Sequence, residues 1–234
     1  MATIELNDQF TNEWTVFEEA VHKYYDDDND PNTPLPEITT DDCDGIIYKK
    51  IDNKYYRRVL VDDTVNVKWF GAKGDGETDD TEAIKKAIKS SHSVRFDRGQ
   101  FIINSTIDIP MEFSGLSISG SGSDIWDKNS TILTTKTSNT LFKGVAGLNT
   151  FKISNLIFDG KHNANATTSG TIAMDFTDGG GLILDRVVVK NFSEYGLYSE
   201  KGMLRIENCY FRDNKVGAQI YSDSSISNSE FAAG

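Results

Sequence analysis

Between residues 153 and 231 a six-residue pattern recurs four times: ISNLIF (153–158), LDRVVV (184–189), IENCYF (206–211) and ISNSEF (226–231). The copies start 31, 22 and 20 residues apart, each with an apolar residue at its first and sixth positions and Asn or Arg at its third. A repeat of this length, rich in β-branched and aromatic residues, marks a stacked solenoid: one unit cannot bury its apolar face, but a stack of units can. Each coil then adds about 4.8 Å of axis, the strand spacing of a sheet. Leucine-rich repeats share the period, but their L-x-x-L-x-L-x-x-N signature is absent. The pattern predicts a mostly β chain, a parallel β-helix. A second register, Gly196-Leu197 and Gly217-Ala218, repeats after 21 residues. The longer first interval predicts an inserted loop, KHNANATTSG (161–170). Asn155, Asn208 and Asn228 stack in this alignment and read as turn or ladder hydrogen bonders rather than ligands. A solenoid exposes unpaired strand edges at both ends. The last repeat closes at Phe231 with no capping element after it, so further chain or another subunit is expected to cover that edge.

Charge divides the chain differently. Of a net charge of −12, all is carried by residues 1–44, which hold thirteen acids and one base, Lys23. Bulk electrostatic binding of nucleic acid is excluded, because so acidic a chain repels phosphate. The first ten residues have neither the basic start nor the apolar core of a signal peptide. No stretch approaches the length of a membrane span. Cys43 and Cys209 are too few and too far apart for a disulfide framework or a metal site. A soluble protein with reduced thiols is expected.

Within the acidic segment, Phe10, Trp14, Phe17, Val21 and Tyr24 recur at steps of 4, 3, 4 and 3. That spacing predicts one helix face, capped by Asn7 or Asp8, for core packing, for docking or for oligomer contact. The following DDDNDPNTPLPE reads as a solvated, proline-stiffened linker. Asp26, Asp28, Asp30 and Glu37 imitate a calcium loop, but Pro31 stands where the sharp turn requires Gly, so no metal is expected. Residues 46–60 read as a hairpin around Asp52-Asn53. Its bases, Lys49, Lys50, Lys54, Arg57 and Arg58, face either solvent or an acidic neighbour such as the N-terminal segment.

The most specific stretch follows. In VNVKWFGAKGDGETDDTEAIKKAI (65–88) a strand is predicted to end at Phe70, and Gly71, Gly74 and Gly76 form a loop of unusual backbone angles. Asp79 and Glu82 read as an acidic capping box that opens a helix with Ala83, Ile84, Ala87 and Ile88 inward. The loop lacks the order of a phosphate cradle and its acids would repel phosphate. The run WFGAKGDGETDDTEAIKKAI, with VRFDRGQFIINSTIDIP (94–110) after it, resembles the opening of the pectate-lyase-like right-handed parallel β-helix superfamily, and within it phage tailspikes most closely. The resemblance is specific over 65–110 and continues by pattern over 111–234.

It implies an N-terminal capping helix and a preceding small α-helical/hairpin anchoring module. The expected organisation is an anchoring module and linker (1–44), a hairpin connector (45–64), the opening motif with its helix (65–110), and coils (111–234). It further implies a structural tail protein in the virion, soluble in the host cytoplasm before assembly. Such a protein is homotrimeric, attached through its N-terminus to other virion tail proteins, and contacts host surface polysaccharide without membrane insertion. The alternative is a polysaccharide depolymerase, a glycoside hydrolase or lyase. Asp159, Asp185 and Glu207 are the candidate carboxylates, set against the plain reading that outward positions of any solenoid are charged. The polygalacturonase-like set, which joins a paired Asp-Asp to Gly-His-Gly and Arg-x-Lys, is missing, no nucleophile elbow or zinc motif occurs, and no cofactor is expected. Residues 1–234 are therefore expected not to depolymerise glycans, with any active site further along the helix or between subunits.

Overall fold

The computed structural model describes residues 2–23, 37–124, 129–145, 148, 150–161, 169–221 and 223–232. Two compact units divide at residue 63.

Unit 1 is an antiparallel sheet of β1 (Thr3–Asn7), β2 (Trp14–Glu19), β3 (Tyr48–Ile51) and β4 (Lys54–Arg58), in the order β1-β2-β4-β3. The helix expected from the 4-3-4-3 spacing is therefore absent: residues 14–19 form a strand. WTVFEE is rich in residues that lose rotamer freedom in a helix and pack well on a pleat. Asp8 then turns the chain rather than capping a helix, its Oδ1 accepting the N–H groups of Phe10 (3.0 Å) and Thr11 (2.8 Å). Strand alternation splits the supposed face: Phe17 is buried and Trp14 exposed, with Phe10 in the turn, Val21 beyond the strand, and both exposed. Tyr24, the proline-stiffened linker and the acids of the imitation calcium loop up to Asp30 lie outside the described residues.

The hairpin at 46–60 is present, with Asp52 (φ 47°) and Asn53 (φ 61°) at its tip. Its bases meet the acidic segment. Arg57 Nε lies 2.6 Å from Glu18 Oε1, Lys54 Nζ 3.1 Å from Glu19 Oε2, and Arg58 Nη2 2.7 Å from Asp8 Oδ2.

Unit 2 begins with β5 (Thr64–Asn66), a 3₁₀ turn at Val67–Phe70, β6 (Asp75–Asp79) and α1 (Thr81–Ser90). The expected strand ending at Phe70 thus stops at Asn66, whose side chain accepts the Lys68 N–H at 3.0 Å and opens the turn. Next come β7 (Ser93–Arg95), β8 (Gly99–Ile102), β9 (Ile107–Ile109), β10 (Leu116–Ser119), β11 (Thr131–Thr134), β12 (Phe142–Gly144) and β13 (Phe151–Asp159). The remaining strands are β14 (Ile172–Phe176), β15 (Leu182–Lys190), β16 (Tyr195–Ser199), β17 (Leu204–Glu207), β18 (Tyr210–Arg212), β19 (Val216–Ile220), β20 (Ser224–Ser227) and β21 (Glu230–Ala232).

All pairings described in this unit are parallel, and they form three faces. One face is the path β5-β7-β10-β13-β15-β17-β20, and another is β9-β12-β14-β16-β19. The third runs through β6, β8, β11, the second arms of β13 and β15, β18 and β21. This is the parallel β-helix expected from the repeats. The four aligned segments lie in register: Ile153 pairs with Leu184, Leu184 with Ile206, and Ile206 with Ile226. Phe158, Val189, Phe211 and Phe231 do the same at the sixth position. At the third position Asn155, Arg186, Asn208 and Asn228 all have φ between 47° and 55°. Each bends its coil from one face to the next through the left-handed region, which Asn tolerates better than most residues. The interior is apolar, with Phe142 edge-on to Phe158 at 5.9 Å and Phe151 stacked near Phe176 at 6.2 Å. The ends of the inserted loop meet where Gly170 donates to the Gly160 carbonyl at 2.8 Å.

Helix α1 lies where the sequence placed a helix, burying Ile84, Ala87 and Ile88 against the 3₁₀ turn, β5 and β7. Its start differs from the expected capping box. The N-cap is Asp80, whose side chain does not cap the helix. Asp79 accepts from Thr81, and Glu82 is spent on Lys85 at 3.1 Å.

Candidate functional site

The glycine loop is a structural device. Asp80 is 1% exposed and its carboxylate accepts three backbone N–H groups: Lys73 at 2.6 Å, Gly74 at 3.2 Å and Ile102 at 3.3 Å. Burial pushes its carboxyl above the ordinary range, against those three hydrogen bonds. Gly71 (φ 99°) ends the 3₁₀ turn, and a β-carbon on Gly74 (φ 62°) would fall 2.8 Å from the Phe101 ring. Gly76 (φ 77°) lies against Gln100. The motif thus packs backbone on the next coil, which explains why it specifies a fold without specifying a reaction.

The three candidate carboxylates do not form one site. Asp159 ends β13 on the third face, 5% exposed. It accepts from Asn191 Nδ2 at 2.9 Å and the Lys161 N–H at 3.0 Å, with Lys161 and Lys190 Nζ each at 3.5 Å. Burial raises its pKa, but Asn191 and the two lysines outweigh that and hold the carboxyl below the ordinary range. Asp185 and Glu207 are register neighbours on β15 and β17. Asp185 is held by Arg186 Nη2 at 2.8 Å and Asn208 Nδ2 at 3.1 Å, and Glu207 by Arg205 Nη2 at 2.9 Å. A glycoside-cleaving pair needs one carboxyl kept protonated by its surroundings. Here each of the three carboxylates is paired with a cation instead of lying in an apolar pocket.

A different constellation stands on the outer side of β14, β16 and β19. Asp108, Lys143, Asp175, Tyr198 and Gln219 follow one another in register, one per coil. The Tyr195 and Tyr198 rings are 5.0 Å apart, and Tyr221, 64% exposed, is 6.3 Å from Tyr198. The Tyr198 hydroxyl donates to Glu200 Oε1 at 2.7 Å, and that hydrogen bond pushes the phenol up to about 12. Gln219 Nε2 donates to the Tyr221 hydroxyl. Outward rings, two half-buried and one exposed, flanked by a carboxylate and an amide offer apolar surface beside oriented donors and acceptors. The signal was within reach of the sequence, since Tyr198 and Gln219 flank the second repeat register.

A mostly apolar groove of about 420 Å³ lies near the turn before β17, lined in part by Ile183, Met203, Arg205 and Asp223. Among the described residues no cluster of three His, Cys, Asp or Glu side chains could hold a metal ion. No described helix is long and apolar enough to cross a membrane.

Residues 64–145 match the family model described as rhamnogalacturonase A/epimerase, pectate lyase-like. The pre-neck appendage protein of Bacillus phage B103 is 47% identical over 60 residues, covering 26% of this chain and 7% of that protein. A probable glucan endo-1,3-β-glucosidase of Arthroderma benhamiae is 37% identical over 83 residues, 34% of this chain and 9% of that protein. The chain therefore spans less than a tenth of the length of these two relatives. Among solved structures, tailspike protein gp49 of Acinetobacter baumannii bacteriophage Fri1, described as a capsular polysaccharide depolymerase, superposes with a TM-score of 0.66. That match is 11% identical and covers 97% of this chain and 43% of that one, so it speaks for the fold. Residues 64–145 carry a pectate-lyase-like domain, and the fold around them is shared with a phage tailspike.

Proposed function

We propose that this chain is a phage tail component of tailspike type, which adheres to host surface polysaccharide through the coils of unit 2. The observation that carries the reading is the outer strip of half-buried Tyr195 and Tyr198 and exposed Tyr221 along the β-helix. Pyranose rings present apolar C–H faces that stack on such rings, while Glu200 and Gln219 are placed to meet sugar hydroxyls. A stacked solenoid suits adhesion because each coil extends it without a flexible joint. Unit 1 attaches the chain to other tail proteins, placing it in the virion, and the assembly is a homotrimer. The phage pre-neck appendage relative and the tailspike superposition support this reading.

The test is binding of the 234-residue chain to purified capsular and surface polysaccharides by calorimetry. Tyr198→Ala and Tyr221→Ala should each weaken binding by at least about tenfold, as removal of a central aromatic anchor does. Asp108→Asn, further along the same row, should change it little. Unaltered binding in both tyrosine variants would remove the strip from the reading.

A second reading, a depolymerase, is favoured by the Fri1 tailspike and the glucanase relative, and by Asp185 and Glu207 lying side by side. It predicts release of reducing ends or unsaturated products that is lost in Asp185→Ala or Glu207→Ala. The cation held against each carboxylate favours adhesion without turnover by residues 1–234.

A further inference from the structure

The sheet of unit 1 leaves an apolar patch in solvent on one face. On β2, Trp14, Val16 and Glu18 point opposite to buried Phe17. The Val59 N–H donates to the Val16 carbonyl at 2.9 Å, so the β2–β4 pairing continues past Arg58 and sets Val59 beside Val16. Val61 follows two residues on, beyond the strand and exposed. These side chains are 72% (Trp14), 39% (Val16), 44% (Val59) and 78% (Val61) exposed. One tryptophan and two valines grouped on a sheet face, with exposed Val61 just beyond it in sequence, form the kind of patch that marks an interaction surface.

The rim of the patch says what it binds. Glu5 stands opposite Val16 in register, Glu13 precedes Trp14, and Asp62 and Asp63 follow Val61; all four are exposed. Of the bases of the same sheet, Arg57 is held by Glu18, Lys54 by Glu19 and Arg58 by Asp8, while Lys49 sits over the Phe17 ring on the opposite face and Lys50 donates to Thr40 Oγ1 at 3.0 Å. Residues 1–63 contain sixteen acids and six bases, a net charge of −10. A second copy would set the same acidic rim and the same −10 against this one, which like-charge repulsion opposes. A neutral or acidic glycan has no cation to meet the rim. We propose that the Trp14–Val16–Val59 patch docks a protein surface that is apolar at its centre and lysine- or arginine-rich at its rim. This rests on the attachment role of unit 1 proposed above and names the chemistry its partner must present.

The experiment titrates the full chain with two labelled β-hairpin peptides, followed by fluorescence anisotropy. Both peptides carry Trp and Leu on one face; one is rimmed by Lys and its twin by Glu. The Lys-rimmed peptide should bind at least about tenfold more tightly at low salt and weaken as salt rises. Trp14→Glu should abolish binding with an unchanged melting temperature, the side chain being exposed. The double variant Glu5→Lys/Glu13→Lys should reverse the preference between the twins, and it decides the matter even if Trp14→Glu misfolds. Equal affinity for the twins, no binding of the Lys-rimmed peptide, full binding by Trp14→Glu, or Trp14-dependent self-association in sedimentation would overturn the proposal. Failure of the attachment reading shows elsewhere, as chains that keep the peptide preference but do not enter tail particles.

Discussion

The Asp80 carboxylate accepts the backbone N–H of Lys73 at 2.6 Å, and its other oxygen accepts that of Ile102 at 3.3 Å. One buried side chain therefore closes the glycine loop and fastens it to β8. The two acids of the Asp79-Asp80 pair divide the labour: Asp79 serves the first residue of α1, and Asp80 serves the loop behind it.

Asp80→Ala would leave three N–H groups without their acceptor, that of Ile102 buried, and should destabilise unit 2 by about 2–4 kcal/mol. Urea unfolding followed by circular dichroism measures this. The pH dependence has a definite sign. A carboxyl whose folded pKa is raised contributes stability that is fully present below its ordinary value of 3.8 and lost as pH rises through the folded value. Relative to Asp80→Asn, the native chain should thus gain stability as pH falls through the folded value toward 3.8 and keep that gain below it.

Gly99 tests the close approach of neighbouring coils. A β-carbon there would lie 2.6 Å from the Gly74 carbonyl oxygen, on a backbone with φ 146°. Gly99→Ala should cost about 3 kcal/mol or more, combining strain with a backbone clash. Gly115 also has positive φ (91°) but nothing within 4 Å of a β-carbon, so Gly115→Ala should cost only about 1 kcal/mol. Thermal melts of the two variants should rank in that order.

Asp159 behaves oppositely to Asp80 in acid. Its lowered carboxyl contributes stability that is present above the ordinary value of 3.8 and lost as pH falls through its folded value. Asp159→Asn should be about 1–3 kcal/mol less stable than the native chain at neutral pH, with the gap closing in acid. Chemical denaturation across the acid range checks both parts. Activity of any kind should be indifferent to the change if the residue is structural.

The pair of Asp8 and Arg58 holds unit 1 through charges that are both buried, 2.7 Å apart. Asp8→Ala should cost about 3–5 kcal/mol, because it strands a buried guanidinium. The double replacement Asp8→Leu/Arg58→Met should restore most of that loss. A double-mutant cycle by urea titration separates the coupling from the cost of each single change.

The β-helix was legible because repetition is local information written several times. Ile153, Leu184, Ile206 and Ile226 align by eye, and the structure stacks them in that register. Asn155, Asn208 and Asn228 were recognisable as turn residues for the same reason. Arg186 occupies the same bend with φ 52°, and Arg186 Nε donates to Asn155 Oδ1 at 2.7 Å, a contact no single repeat contains. Over residues 14–19 the helical spacing gives way to a strand. A spacing of three and four over two turns fits a helix, but a strand hides in it whenever cross-strand partners reward alternation. Phe17 found such partners in Arg58 and Lys49, more than thirty residues away in sequence.

The chain's own sequence determined the coil length, the register of the stack, the glycine loop and the segregation of charge, since all four depend on spacing or composition. Tertiary structure decided the rest. Only folding could show that Asp80 rather than Asp79 turns inward, that Trp14 and Phe17 part to opposite faces, that the candidate carboxylates are each held by cations, and that three tyrosines line one outer strip. Those facts depend on which distant residues come within a few ångströms of one another, and long-range contact is what local patterning does not encode.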